Sequence, residues 1–371
     1  MALRTVIIGG SNTVMQPGYM PTLLSALARR GIRIDVVADL AVGGTTSAFG
    51  LFQLKTHDVL SQCDLLIIEY ALNDAFVYGD ERRPFRHWAR LYEGIIRFAL
   101  ERNPKLRIIS LVFGARNGSF LASVPSIDAG IHYISEWYGA SVINVSRALV
   151  QRYGREIVTH PSFYSDQGHY ARPIATTIVA ELIAEELEVS LQTPHCVRSL
   201  PPPIDPHHFA AASILDVGML SKVSGISAGE YKNRRFTVGA ADLGRTSLRL
   251  EIDNGRLLAL AYVCEPRIAP LEISLADGGF RCGLLKAGVR DGAFKFLISM
   301  LSCEFLYGTA LLQELPRFAC RIAAANGGAS HKEHLPKDNV SHDPVEGATP
   351  VLPIVGLLYT GTLRSCAIDG P

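Results

Sequence analysis

The chain has 371 residues, more than one domain usually holds, and two domains are expected. With 48% hydrophobic and 19% charged residues it reads as a packed globular protein, which excludes a disordered one. The 36 Lys+Arg against 35 Asp+Glu leave a net charge of +1 with no basic cluster among aromatics, which argues against nucleic acid or an anionic membrane as a partner.

In chain order, the first ~190 residues alternate two kinds of segment. Apolar, β-branched runs at Arg4–Ile8, Arg33–Val37, Leu65–Glu69, Arg107–Phe113 and Ser141–Val145 predict strands buried on both faces. Helical patterns at Tyr19–Arg30, Phe85–Arg102, Ile127–Tyr138 and Ile174–Leu187 lie between or after them. The alternation predicts right-handed βαβ units and a three-layer α/β domain over residues 1–190. Three consecutive prolines in "LQTPHCVRSLPPPIDPHH" then predict a linker at 191–207.

From 208 to 371 the texture is β-rich. The runs "SLRLEIDNGRLLALAYVCE" and "LEISLADGGFRCGLLKAG" alternate around Asn-Gly and Asp-Gly, which are hairpin signals, and several in series predict a mostly antiparallel sandwich-like domain. The Gly-, His- and Pro-rich stretch Asn326–Pro350 is expected to be a long surface loop.

The start "MALRTVIIGG" has no leader-like apolar core of about 7–15 residues. The apolar stretch around Phe296–Leu312 is broken by Ser302 and Glu304 and is too short to span a bilayer. Cys63, Cys196, Cys264, Cys282, Cys303, Cys320 and Cys366 form no CxxC pair, which argues against a disulfide framework and a zinc site. A cytoplasmic protein is expected.

Ligands of parallel α/β sheets sit beyond the carboxyl ends of the strands, which directs attention to four loops. They carry Gly9-Gly10-Ser11-Asn12-Thr13, the glycines Gly43 and Gly44 in "DLAVGGTTSAFG", Asn73-Asp74 in "EYALND", and Asp166 with His169 in "YSDQGHYARP". Together they supply what acyl transfer needs. A serine hydroxyl is a weak nucleophile, and His169 could take the Ser11 proton. The carboxylate of Asp166, three residues earlier, could hold the imidazole in the required tautomer. The backbone N–H groups of Ser11 and Gly44 and the Asn73 amide could receive a developing oxyanion.

Ser11, Gly44, Asn73 and Asp166-x-x-His169 reproduce, in order, the four blocks of the SGNH (GDSL-type) hydrolases, and residues ~4–188 resemble that family. The resemblance implies a flavodoxin-like three-layer fold and ester hydrolysis, with Ser11 as nucleophile and first oxyanion donor, Gly44 and Asn73 as the other donors, His169 as base and Asp166 as its orienter. Two departures stand out: the usual Gly-Asp-Ser is Gly9-Gly10-Ser11, and the usual Gly-x-Asn-Asp is Ala71-Leu72-Asn73-Asp74.

Each block also has a plainer reading. Ser11 could cap a turn, Gly43-Gly44 could be a turn, Asn73-Asp74 a loop or helix cap, and Asp166 a turn cap. Competing motifs fail on spacing: positions 9, 11 and 14 are Gly, Ser and Val, so G-x-G-x-x-G is absent, no Gly-Lys-Ser/Thr follows, and Thr13 breaks G-x-S-x-G. His160, which precedes Pro161, rivals His169 as base, but Ile157 leaves it no carboxylate three residues earlier.

Asn12, Asp74 and Tyr164 are candidate substrate contacts, and Tyr170, Phe76 and Tyr78 could likewise stack on a sugar. Arg82, Arg83 and Arg86 form a solvated helix start or a contact for an acidic sugar. No metal site is expected, His331-x-x-His334 included, and no cofactor.

The sequence as a whole points to a serine esterase that removes a small acyl group, acetyl by analogy with the family, from a carbohydrate. The alternatives are an O-acyltransferase to a glycan using the same site, or a non-catalytic carbohydrate-binding protein. Nothing in the sequence decides whether the chain forms a homo-oligomer.

Overall fold

The computed structural model describes residues 2–79, 84–118, 121, 125–193, 199–223, 226–308, 315–325, 332–336, 338–342 and 349–369. They fall into two compact units, Met1–Ala211 and Ala212–Pro371.

The first unit is built on five strands: β1 (Leu3–Gly9), β2 (Ile34–Asp39), β3 (Leu65–Glu69), β4 (Arg107–Val112) and β5 (Ser141–Asn144). They pair in parallel in the order β2-β1-β3-β4-β5. Every residue of β3 is buried, and only the first of β4 is not, which is why these strands read as unbroken apolar runs rather than alternating ones. The helices α2 (Tyr19–Arg29), Val145–Tyr153 and Ile174–Gln192 pack together, as do α3 (Ser47–Thr56), α5 (Phe85–Arg102) and Ser126–Trp137. The expected three-layer, flavodoxin-like α/β architecture is present. Strand order reverses between β1 and β3, and their carboxyl ends open the crevice where such sheets take ligands.

The last helix packs on α2 through one buried apolar cluster, and charged pairs line the contact. Arg30 pairs with Glu181 at 3.1 Å, Glu185 at 3.4 Å and Glu188 at 3.4 Å, and Arg29 also pairs with Glu181. Seated in this way, Ile174–Gln192 carries the loop before it to the β1 end of the sheet.

The stretch expected to be a linker at 191–207 differs in its described part. Residues 199–211 belong to the first unit. The buried Glu93 carboxylate accepts from the backbone N–H groups of Ile204 at 2.6 Å and Asp205 at 3.0 Å, and the Phe209 ring lies 5.2 Å from that of His87. Proline-rich composition registers a lack of helix or ladder bonding, but side chains of α5 satisfy this backbone instead. Cys196 and His195 lie outside the described residues.

In the second unit twelve strands form two six-stranded sheets around one apolar core. Among them, β9 (Ser247–Asp253), β10 (Leu257–Cys264), β11 (Leu271–Leu275), β12 (Gly278–Cys282) and β15 (Lys332–His334) bear on the sequence reading. All described strand pairings are antiparallel except β12 with β15. The Asp-Gly hairpin is real, joining β11 to β12. The Asn-Gly one is not: β9 and β10 lie in different sheets, and the turn at Asn254, φ 50°, passes the chain between them. The expected surface loop Asn326–Pro350 contains β15 and the buried Asn339, whose side chain donates to Gly283 O at 2.7 Å. Residues 326–331, 337 and 343–348 of that stretch lie outside the described residues.

Candidate active site

Each loop that bears a candidate residue has a local reason for its shape. The β1 strand ends at Gly9, and α1 (Ser11–Val14) begins at once. Both glycines are close approaches: a Cβ on Gly9 would lie 2.7 Å from Thr13 Oγ1, and one on Gly10 would lie 2.6 Å from Asn73 Oδ1. Gly44 turns the β2 loop at φ 75°, a left-handed conformation that favours glycine. A Cβ on neighbouring Gly43 would lie 3.6 Å from both Cα and Cβ of Ser11, so this loop lies directly against the serine. Asn73 sits in α4 (Ala71–Asp74), immediately after β3, and donates one amide hydrogen to Thr45 O at 2.7 Å, leaving the second free of that bond.

The fourth loop closes on itself. Tyr164 and Tyr170 form an antiparallel bridge with rings stacked 5.2 Å apart, and Ser165 N–H donates to His169 O at 2.9 Å. Pro173 caps the following helix, leaving residues 166–169 outside it. Asn12 reaches across from α1 and donates to Gly168 O at 2.8 Å, which ties the first loop to the fourth.

These supports bring three side chains into a line. His169 Nε2 lies 2.7 Å from Ser11 Oγ, and His169 Nδ1 lies 2.7 Å from Asp166 Oδ2. An ionised carboxylate only accepts, so the Nδ1 proton points to Asp166 and the Nε2 lone pair faces the serine hydroxyl. The other Asp166 oxygen accepts from Gly168 N–H at 2.9 Å and His169 N–H at 3.0 Å. Partial burial works against ionisation of Asp166, but these hydrogen bonds and the imidazole beside it hold its carboxyl below the usual range.

No family model matches the chain, and no curated protein does. Among solved structures it is similar to a two-domain esterase (CEX) active on acetylated mannans, co-crystallised with mannopentaose, with 16% identity and a TM-score of 0.64 over 98% of this chain and 91% of that chain. A second structure under that description gives 15% identity and the same TM-score over 98% of this chain and 92% of that chain.

The fold is that of a two-domain esterase.

The first unit of that fold is the three-layer α/β unit described above, and the four loops singled out from the sequence meet at the carboxyl ends of its strands. Three expected substrate contacts are buried. Asp74 is fully buried: Oδ1 accepts from Ser47 N–H at 3.0 Å and Oδ2 from Trp88 Nε1 at 2.8 Å, joining α3 to α5 beneath the site. Burial, partly offset by those bonds, raises its carboxyl to about 6. Tyr164 is 4% exposed at the base of its loop, and Asn12 is 5% exposed and spends its amide on Gly168. Tyr78 and Tyr170 are also core residues, while Phe76 lies over Gly168. Buried in this way, Asp74, Tyr164 and Asn12 support the loops around Ser11.

His160 does not reach Ser11. It caps the short helix Pro161–Phe163, with Nδ1 accepting from Ser162 N–H at 3.2 Å and lying 2.7 Å from Ser162 Oγ. Arg86 pairs with Asp205 at 2.7 Å, as the buried Arg90 does at 3.0 Å, and both hold the Asp205 carboxyl well below its usual range despite partial burial. Arg82, Arg83 and His331 lie outside the described residues. Among the described residues no group of three His, Cys, Asp or Glu could hold a metal ion, and no helix is long and apolar enough to cross a membrane.

Sequence reasoning gave no role to Glu69, whose carboxyl lies under the loop that carries Ser11, fully buried. Its signal was available: one acid closing the otherwise apolar strand "LLIIE".

Proposed function

We propose that the chain is a serine esterase that hydrolyses acetyl esters on a carbohydrate. The observation that carries this reading is the line Ser11 Oγ, His169 Nε2, His169 Nδ1, Asp166 Oδ2, with 2.7 Å at each of its two hydrogen bonds. In the first step Ser11 Oγ attacks the acetyl carbonyl carbon and its proton passes to His169 Nε2. Asp166 stabilises the imidazolium that results. The N–H groups of Ser11 and Gly44 and the second amide hydrogen of Asn73 receive the oxyanion. His169 then gives the proton to the departing sugar oxygen, leaving acetyl-Ser11. Water, deprotonated by His169, attacks that ester, and acetate leaves as the proton returns to Ser11.

The His169 side chain is 30% and the Asp166 side chain 55% exposed. A base so open to solvent favours water over a sugar hydroxyl as the acceptor, and thus hydrolysis over acyl transfer to a glycan. The mannan activity of the similar two-domain esterase supports acetylated mannan as the polymer to try first.

The test is acetate release from a short-chain aryl acetate and from acetylated mannan and xylan, with and without a glycan acceptor. Ser11→Ala, with folding checked, should lower the rate at least about 1,000-fold. An unchanged rate would sink the Ser11 mechanism, and acetylated acceptor in place of acetate would make the protein a transferase.

A further inference from the structure

The loop that carries Ser11 has two glycines before the serine, so no side chain on that side of Ser11 braces it. Gly10 is the residue before α1, and no side chain caps that helix from the usual position. The brace comes from β3. Glu69 O accepts from Gly10 N–H at 2.9 Å, and Glu69 Oε2 accepts from the same N–H at 3.3 Å and from Thr13 Oγ1 at 2.8 Å. Thr13 has one hydroxyl proton and gives it to Glu69, so in the 3.0 Å contact between Thr13 Oγ1 and Tyr19 the tyrosine O–H is the donor. Tyr19 thus donates to Thr13 and Thr13 to Glu69, while the Gly10 N–H donates to the same carboxyl oxygen from the other side, so the bonds converge on Glu69.

We propose that Glu69 is the positioning residue of the nucleophile loop: by accepting from Gly10 and Thr13 at the two ends of the turn over residues 10–13, its carboxyl sets where the Ser11 hydroxyl and N–H lie. This rests on the serine-esterase reading. Gly9 is part of the same device, since a Cβ there would meet Thr13 Oγ1 at 2.7 Å and Glu69 Cβ at 3.2 Å. A carboxyl in this position is costly to ionise. Burial pushes Glu69 up to about 8, against the hydrogen bonds from Thr13 and Gly10 and helped by the nearby Asp74 charge. Around neutral pH it is a neutral acid that offers an accepting oxygen, and a glutamine offers the same.

The decisive comparison is steady-state hydrolysis of an aryl acetate by wild type, Glu69→Ala, Glu69→Gln and Thr13→Val, with melting temperatures measured alongside. Misplacing a reacting group by about 1 Å costs on the order of 100-fold, so Glu69→Ala should lower kcat about 10- to 100-fold with KM within about twofold. Glu69→Gln should recover kcat to within about threefold, and Thr13→Val should lower it by about 10-fold. Covalent labelling of Ser11 by an organophosphonate, read by intact mass, should slow in parallel. Wild-type kcat in Glu69→Ala overturns the proposal, as does a glutamine variant as slow as the alanine one. If Glu69→Ala does not fold, a wild-type rate in Thr13→Val overturns it instead. A wild type whose Ser11 is not labelled, with Ser11→Ala fully active, overturns the esterase reading itself and this proposal with it.

Discussion

The side chain of Asn73 fills the space that a side chain on residue 10 would need: a Cβ there would come within 2.6 Å of Asn73 Oδ1 and 2.8 Å of Nδ2. The Asn73 amide cannot swing away freely, because it is held on Thr45 O. Glycine at position 10, a departure from the family pattern, is thus what this arrangement of Asn73 requires. Gly10→Ala and Gly10→Asp should each displace the amide and lower kcat about 10- to 100-fold, approaching the roughly 100- to 1,000-fold loss expected for Asn73→Ala. Introducing at position 10 the aspartate usual in SGNH hydrolases should therefore lower activity, and full activity in Gly10→Asp would refute the packing argument.

The two histidines separate by what they touch. His169→Ala should lower esterase activity at least about 1,000-fold. His160→Ala should stay within about twofold of wild type in rate, while losing a helix cap worth about 0.5–2 kcal/mol at most. Parallel aryl acetate assays and thermal melts check both, and a fast His169→Ala with an inactive His160→Ala would reverse the assignment.

Asp166→Asn keeps the shape of the side chain but removes the charge that sets the imidazole tautomer, and should cost on the order of 1,000-fold in kcat. The same substitution has a pH signature. Because the folded-state carboxyl is held below its ordinary range, its contribution to stability is present above the unfolded value near 4 and disappears as pH falls through the folded value. The melting temperature difference between wild type and Asp166→Asn should accordingly shrink toward zero in acid.

Glu69 and Asp74 act in the opposite sense. Burial raises them to about 8 and about 6, so between the ordinary carboxyl range and those values the folded chain binds more protons than the unfolded one. Stability from these groups is complete only below the unfolded values near 4 and is lost as pH rises from there, up to about 6 for Asp74 and about 8 for Glu69. Melts from pH 5 to about 9 should show a falling melting temperature in wild type and a flatter profile in Glu69→Gln. Equal slopes would show that Glu69 is ionised in the fold.

Much of the first unit was legible because its central strands β1, β3 and β4 are buried on both faces, and unbroken apolar runs such as residues 65–68 have little other use. Strand β2, at the edge of the sheet, was expected to be buried likewise but alternates half-buried and exposed residues. Helix α3 was missed because residues 47–52 and Leu54 are all buried, leaving no polar face to mark a helical period. The Asn-Gly turn after β9 misled because turn chemistry dictates a local reversal, not whether the next strand pairs with the last. For the candidate site, spacing singled out Ser11, Asn73, Asp166 and His169, but it could not say which neighbours face inward. Asp74 is one residue from Asn73 and points to Trp88, and Glu69 acts through a peptide bond that any sequence would contain.

The hydrogen bond between Ser11 and His169 joins positions 158 apart in the chain. His169 lies in the loop before the final helix, which packs on α2 and follows every strand of the sheet in the chain, so the pair forms only once the two ends of the unit have met. In a refolding experiment, recovery of esterase turnover should therefore lag collapse and sheet formation and mark the closing of the whole unit.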